Sequence, residues 1–109
     1  MRSFPHTKFI VWTGAALTKE ETTPEKAQKV NDFFKWVKEQ WDEPGDNIFL
    51  WDFYELETEG GLYFKDEFAV NAKDSHPSKS FSTKVYPYFC KRIVDVIEGK
   101  GDSTSKTGQ

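Results

Sequence analysis

Hydrophobic residues along the chain fall into two unbroken runs and two stretches of helical period. Lys8-Phe9-Ile10-Val11-Trp12-Thr13-Gly14 is short, mostly apolar, and rich in β-branched and aromatic residues. Such a run predicts a strand buried on both faces, as in a parallel sheet. Asn47-Ile48-Phe49-Leu50-Trp51-Asp52-Phe53 reads the same way. Between them, Thr22-Thr23-Pro24-Glu25 predicts a helix start. Thr22 is the expected cap, Pro24 lies in the first turn, and Glu25 would complete a capping box. The helix is expected to reach about Trp41. Ala27, Val30, Phe33, Phe34, Val37 and Trp41 fall within roughly 120° of arc, with Lys29, Asp32, Lys35 and Glu39 outside it. Asp42-Glu43-Pro44-Gly45-Asp46 then turns the chain. Strand, helix, strand in this order is a βαβ unit, whose crossover should be right-handed.

Residues 54–78 carry no sustained period and read as one long polar loop, of the kind that is functional or flexible in a compact chain. A last helix is predicted from about Ser80 or Ser82 to Glu98. Val85, Phe89, Ile93, Val96 and Ile97 form its apolar face, and Lys91, Asp95 and Glu98 its polar one. Pro87 requires this helix to start late or to bend, because proline lacks the N–H of an interior position. Gly99 and Gly101 end it, so the expected organisation is one incomplete α/β domain over 1–98 and a flexible tail over 99–109.

Composition narrows the function classes. A hydrophobic share of 37% and an aromatic share of 17% make a core feasible in 109 residues. The net charge of -3 comes from interspersed acids and bases, which argues against a nucleic-acid surface. No apolar run approaches the ~18 residues of a membrane span. The single cysteine, Cys90, excludes an internal disulfide framework and a cysteine-rich zinc site. Asp66, Glu67, Asp74 and His76 fit no established zinc or calcium spacing, and no metal or cofactor is expected.

Chemistry gathers where the two strands end. Ligands of open α/β sheets bind beyond the carboxyl ends of the strands. Thr13-Gly14 closes the first strand at that edge, and Asp52 stands near the end of the second. Asp52 reads better as a carboxylate tying down a loop than as a catalytic group. The long loop leaves the same edge and carries Asp74-Ser75-His76-Pro77-Ser78 before the last helix. An Asp and a His two residues apart can form the acid–base part of a hydrolytic triad. The alternative is a loop histidine beside a helix-capping aspartate.

The runs Phe4 to Gly14 and Ile48 to Phe53, the segment Asp74-Ser75-His76-Pro77-Ser78 and the closing amphipathic helix together resemble the C-terminal half of an SGNH (GDSL-type) hydrolase. The resemblance spans roughly residues 4–98, and its specific part is the Asp–His segment. It implies a partial flavodoxin-like, three-layer fold, ordered β-α-β-long loop-α with parallel strands. It also implies hydrolysis of acyl or acetyl esters, with His76 as catalytic base and Asp74 as its acid. The family often sets the acid three residues before the histidine, where this chain has Lys73. The acid is therefore Asp74 or another carboxylate.

The family's nucleophile is the serine of a Gly-Asp-Ser motif near its N-terminus, and none precedes the first strand here. Gly101-Asp102-Ser103 spells those letters but follows the last helix, off any strand-to-helix turn. The chain alone is therefore expected to be inactive toward a small ester substrate. With only two strands predicted, the sheet edges need pairing. The expected partner is a second copy of the chain or a complementary N-terminal fragment. A non-catalytic binding module that self-associates is the competing expectation.

Overall fold

The computed structural model describes all residues from Met1 to Gln109. Strand β1 (Phe9–Trp12) lies parallel to β2 (Ile48–Trp51), in a register that sets Phe9 beside Ile48 and Trp12 beside Trp51. Helix α1 (Pro24–Trp36) connects them, and its last turn widens into a π-helical turn over Val37–Trp41. Helix α2 (Phe53–Thr58) follows β2 directly. An antiparallel hairpin of β3 (Ala69–Asn71) and β4 (Asp74–Pro77) comes next, and helix α3 (Lys79–Ile97) closes the order. The α/β character and the parallel pairing are as expected. The sheet has two strands, and three layers are not established.

The core lies beneath the carboxyl half of β2. Trp51, Tyr54, Leu56, Phe64, Phe81 and Val85 are all nearly fully buried and belong to one cluster. Phe34 of α1 reaches it through Tyr54, with ring centroids 5.0 Å apart. Trp12 stands edge-on to Trp51 at 4.4 Å and to Phe89 of α3 at 4.8 Å, a preferred aromatic geometry.

Several local expectations change. The cap of α1 is Thr23, whose hydroxyl accepts the Lys26 N–H at 3.2 Å, because Pro24 takes the first helical position. Glu25 then sits one place too early for a capping box. The stretch 54–78 is not one loop. Asp52 caps the six residues of α2, too short to show a period, and the hairpin strands have three and four residues with an irregular register. Helix α3 starts at Lys79, capped by Ser78, and runs through Pro87. On its expected polar face Asp95 is 8% exposed, held by Lys91 at 2.7 Å.

The C-terminal residues, expected as a tail, lie back along the outer edge of β2. Asp52 N–H donates to Lys106 O at 2.8 Å, and Trp51 Nε1–H donates to Thr107 O at 2.9 Å. Arg92 reaches from α3 to Leu50 O and to Gly101 O, both at 2.7 Å. Gly108 has φ +80° and rests on the α3 backbone at Tyr88, where no side chain fits.

Candidate functional site

The hairpin presents Asp74 and His76 on one side of β4, because side chains alternate along a strand. Its turn is closed by Asn71, whose side chain accepts the Lys73 N–H at 2.8 Å. Asp74 Oδ1 accepts the backbone N–H of His76 at 3.0 Å and meets its Nδ1 at 2.5 Å. The carboxylate does not cap α3, a role taken by Ser78. The loop-histidine reading with a capping aspartate therefore lacks its cap.

The electrostatics follow from the contact. The hydrogen bond to Asp74, and then its charge, hold the His76 imidazole above the usual histidine range. Asp74 is held below the usual carboxylate range, first by the His76 ring and then by the His76 backbone N–H. The His76 side chain is 86% exposed and nothing in the protein bonds to Nε2. The second ring nitrogen is thus free to act on something that arrives.

His76 is also one of the lining residues of a cleft of about 370 Å³, together with Ala15, Ala16, Leu17, Lys73 and Asp74 among others. Ala15–Leu17 follow β1 by three residues. The cleft therefore opens beyond the carboxyl end of that strand, the edge at which the sequence leads one to expect a site. Its floor is pinned by polar contacts between the loop and the hairpin. Thr18 N–H donates to Ser75 Oγ at 2.9 Å, Thr18 Oγ1 donates to Ala72 O at 2.8 Å, and Ser75 meets Glu21 through both its N–H and its hydroxyl.

No hydroxyl in this arrangement is offered to His76. Ser75 projects from the other side of β4 and is held by Thr18 and Glu21. Ser103 belongs to the turn after α3, donating to Lys100 O at 3.2 Å. Asp102 accepts the Gly45 N–H at 2.9 Å. No three His, Cys, Asp or Glu side chains converge as metal ligands would. No helix is long and apolar enough to cross a membrane.

Deeper at the same edge, Asp52 does tie the strands down. It accepts Thr13 Oγ1–H at 2.7 Å and Lys38 Nζ at 3.0 Å, and its other contact caps α2. Beside it lies Glu57, 1% exposed, which the sequence reading passed over. Glu57 Oε1 accepts the Ala16 N–H at 3.0 Å, while Oε2 is buried without a partner. Burial raises this carboxyl to about 7, with the Ala16 bond opposing. A signal did exist. Glu57 is three residues after Tyr54, on the side of α2 that the helical period turns toward the core. Arg92 was missed likewise, as a cation near the apolar face of α3.

Comparison with protein-family models, with curated proteins and with solved structures finds no match for this chain.

Proposed function

We propose that this chain supplies the acid–base half of a serine-type ester hydrolase, with His76 as base and Asp74 as its orienting acid. The observation that carries the proposal is the pairing of His76 Nδ1 with Asp74 at 2.5 Å, which leaves Nε2 without a protein partner on a residue that lines an open cleft. In such a mechanism Nε2 takes the proton of an attacking hydroxyl and later returns it to the leaving alcohol. Asp74 fixes the tautomer and stabilises the imidazolium. The hydroxyl and the oxyanion donors come from a second polypeptide segment. The dyad alone could only activate water, and general base help is worth ~10²–10⁴-fold. The substrate class, a small acyl or acetyl ester, rests on the SGNH resemblance.

The natural joining edge for that segment is the outer side of β1. Phe9 N–H and Thr13 N–H bond to Asn47 O and Trp51 O of the β2 run. By alternation, the backbone groups of Ile10 and Trp12 point away from the sheet and are unpaired. A further strand there would extend the sheet, as a partial flavodoxin-like fold requires.

The test is p-nitrophenyl acetate hydrolysis by the chain joined to a polypeptide segment that carries a Gly-Asp-Ser nucleophile. Turnover should rise with pH through a midpoint above 6.5, because Asp74 raises the His76 pKa and only the neutral ring is a base. His76→Ala should cut kcat/KM by ~10³-fold or more. Turnover that is absent, or indifferent to His76→Ala, would refute the proposal.

A second reading is a non-catalytic module that self-associates. It is favoured by Trp12, which is 49% exposed next to the unpaired edge. On that reading Trp12→Ser abolishes association and His76→Ala changes nothing.

A further inference from the structure

We propose that Glu57 is a proton-governed latch on the loop Gly14–Leu17. As a neutral acid it holds the loop against α2. When it ionises, it releases the wall of the cleft that faces His76. This goes beyond the hydrolase reading and needs no nucleophile.

The geometry is that of a closed seat with one contact missing. Glu57 reaches the loop through a single bond, from Ala16 N–H to Oε1 at 3.0 Å. Ala15, Ala16 and Leu17 are themselves wall residues of the cleft. The fit is tight at Gly14, φ +109°, where a Cβ would lie 2.8 Å from Glu57 Oε1. Oε2 is buried and has no hydrogen-bond partner, donor or acceptor. A neutral carboxyl leaves one O–H unpaired there, a smaller cost than burying a carboxylate that has a single donor. A carboxylate has lone pairs on both oxygens and needs donors for them. Water must then enter or the loop must lift.

No cation answers that charge. On α2 itself the titratable neighbour is Tyr54, whose phenol is raised mainly by burial and further by Glu57. From the π-helical turn after α1, Lys38 is committed to Asp52 at 3.0 Å. From the segment after α2, Lys65 gives its backbone N–H to Glu57 O but turns its ammonium to Glu59 at 3.2 Å. Beyond the loop, Glu21 is held by Ser75, and Asp74 and His76 are held by each other. Burial, which raises the Glu57 carboxyl to about 7, sets the switch near neutral pH.

Amide hydrogen exchange of Ala16, followed by NMR from pH 5 to 8.5 and corrected for intrinsic base catalysis, tests the latch. Corrected exchange should rise about tenfold through a midpoint near the Glu57 pKa, as expected for local opening. Glu57→Gln, a neutral carboxyl mimic, should hold it flat. His76→Asn should leave the rise in place. A flat wild-type profile, a rise that persists in Glu57→Gln, or one that vanishes in His76→Asn would each overturn the proposal. If Glu57→Gln does not fold, the carboxyl ¹³C shift of Glu57 in the unsubstituted chain decides. It must share the Ala16 midpoint, and titration in the ordinary glutamate range would overturn the latch.

Discussion

β1 and β2 are strands of equal length and similar sequence, Phe-Ile-Val-Trp against Ile-Phe-Leu-Trp, yet they end in different surroundings. Every residue of β2 is buried, whereas Phe9, Ile10 and Val11 of β1 are half-buried and Trp12 is 49% exposed. The cause is the outer edge of each strand. Beyond β2 stand Arg92, Lys106 and Thr107, which meet the free backbone groups of Leu50 and Asp52 and the indole of Trp51. Beyond β1 there is nothing to bond Ile10 or Trp12. The comparison teaches that an apolar run specifies a strand able to be buried on both faces, while the rest of the fold decides whether it is. The Asp74–His76 pair opens on the β1 side, where the outer strand edge is unpaired.

Substitutions should separate the two flanks in order of cost. Arg92→Leu strikes the closed flank hardest. It strands Leu50 O and Gly101 O at a buried site and should cost about 3 kcal/mol in urea unfolding. Equal stability would mean that the tail does not close β2. Next comes the acid under the loop that follows β1. Glu57 has a folded-state pKa of about 7 against an ordinary 4.5. Between those values the folded chain keeps a proton that the unfolded chain has lost. Stability therefore falls as pH rises through this window and levels off above it, by about 3 kcal/mol in all. Glu57→Gln should flatten that slope in a series of urea melts.

On the open flank the effects on folding should be small. Trp12→Ser removes a ring already half in water and should cost about 1 kcal/mol. His76→Ala should move the unfolding midpoint little, since its partner Asp74 is a surface group. What remains of that contact has two pH signs. The His76 contribution is present at low pH and is lost as pH rises through its raised pKa. The Asp74 contribution is lost as pH falls through its lowered one.

The parts of this molecule legible in the sequence are those set by period and local chemistry. Unbroken apolar runs marked both strands, and the helical arc of Ala27, Val30, Phe33, Phe34, Val37 and Trp41 marked α1, although Val30 and Phe33 of that arc are exposed. The rim assignment followed from strand direction, and it brought Asp74 and His76 to the cleft beside Ala15–Leu17. What stayed illegible depends on contacts remote in sequence. α2 is a helix because Asp52 caps it and the Tyr54 and Leu56 side chains are buried, and six residues show no period. The last residues are ordered by Arg92 and Trp51, which nothing in Lys100–Gln109 announces. Glu57 is raised by burial in a fold that brings the Gly14–Leu17 loop, some forty positions away, onto its carboxyl.

The most direct measurement of the difference between the flanks is amide hydrogen exchange at Ile10 and Trp12 against Asp52, over a dilution series and then with a Gly-Asp-Ser-bearing segment joined. Ile10 and Trp12 should exchange freely in the dilute chain and become protected on joining, while Asp52, bonded to Lys106 O, stays protected throughout. Ile10 and Trp12 amides as slow as Asp52 at every dilution, or still fast after joining, would contradict an open β1 edge able to accept a further strand.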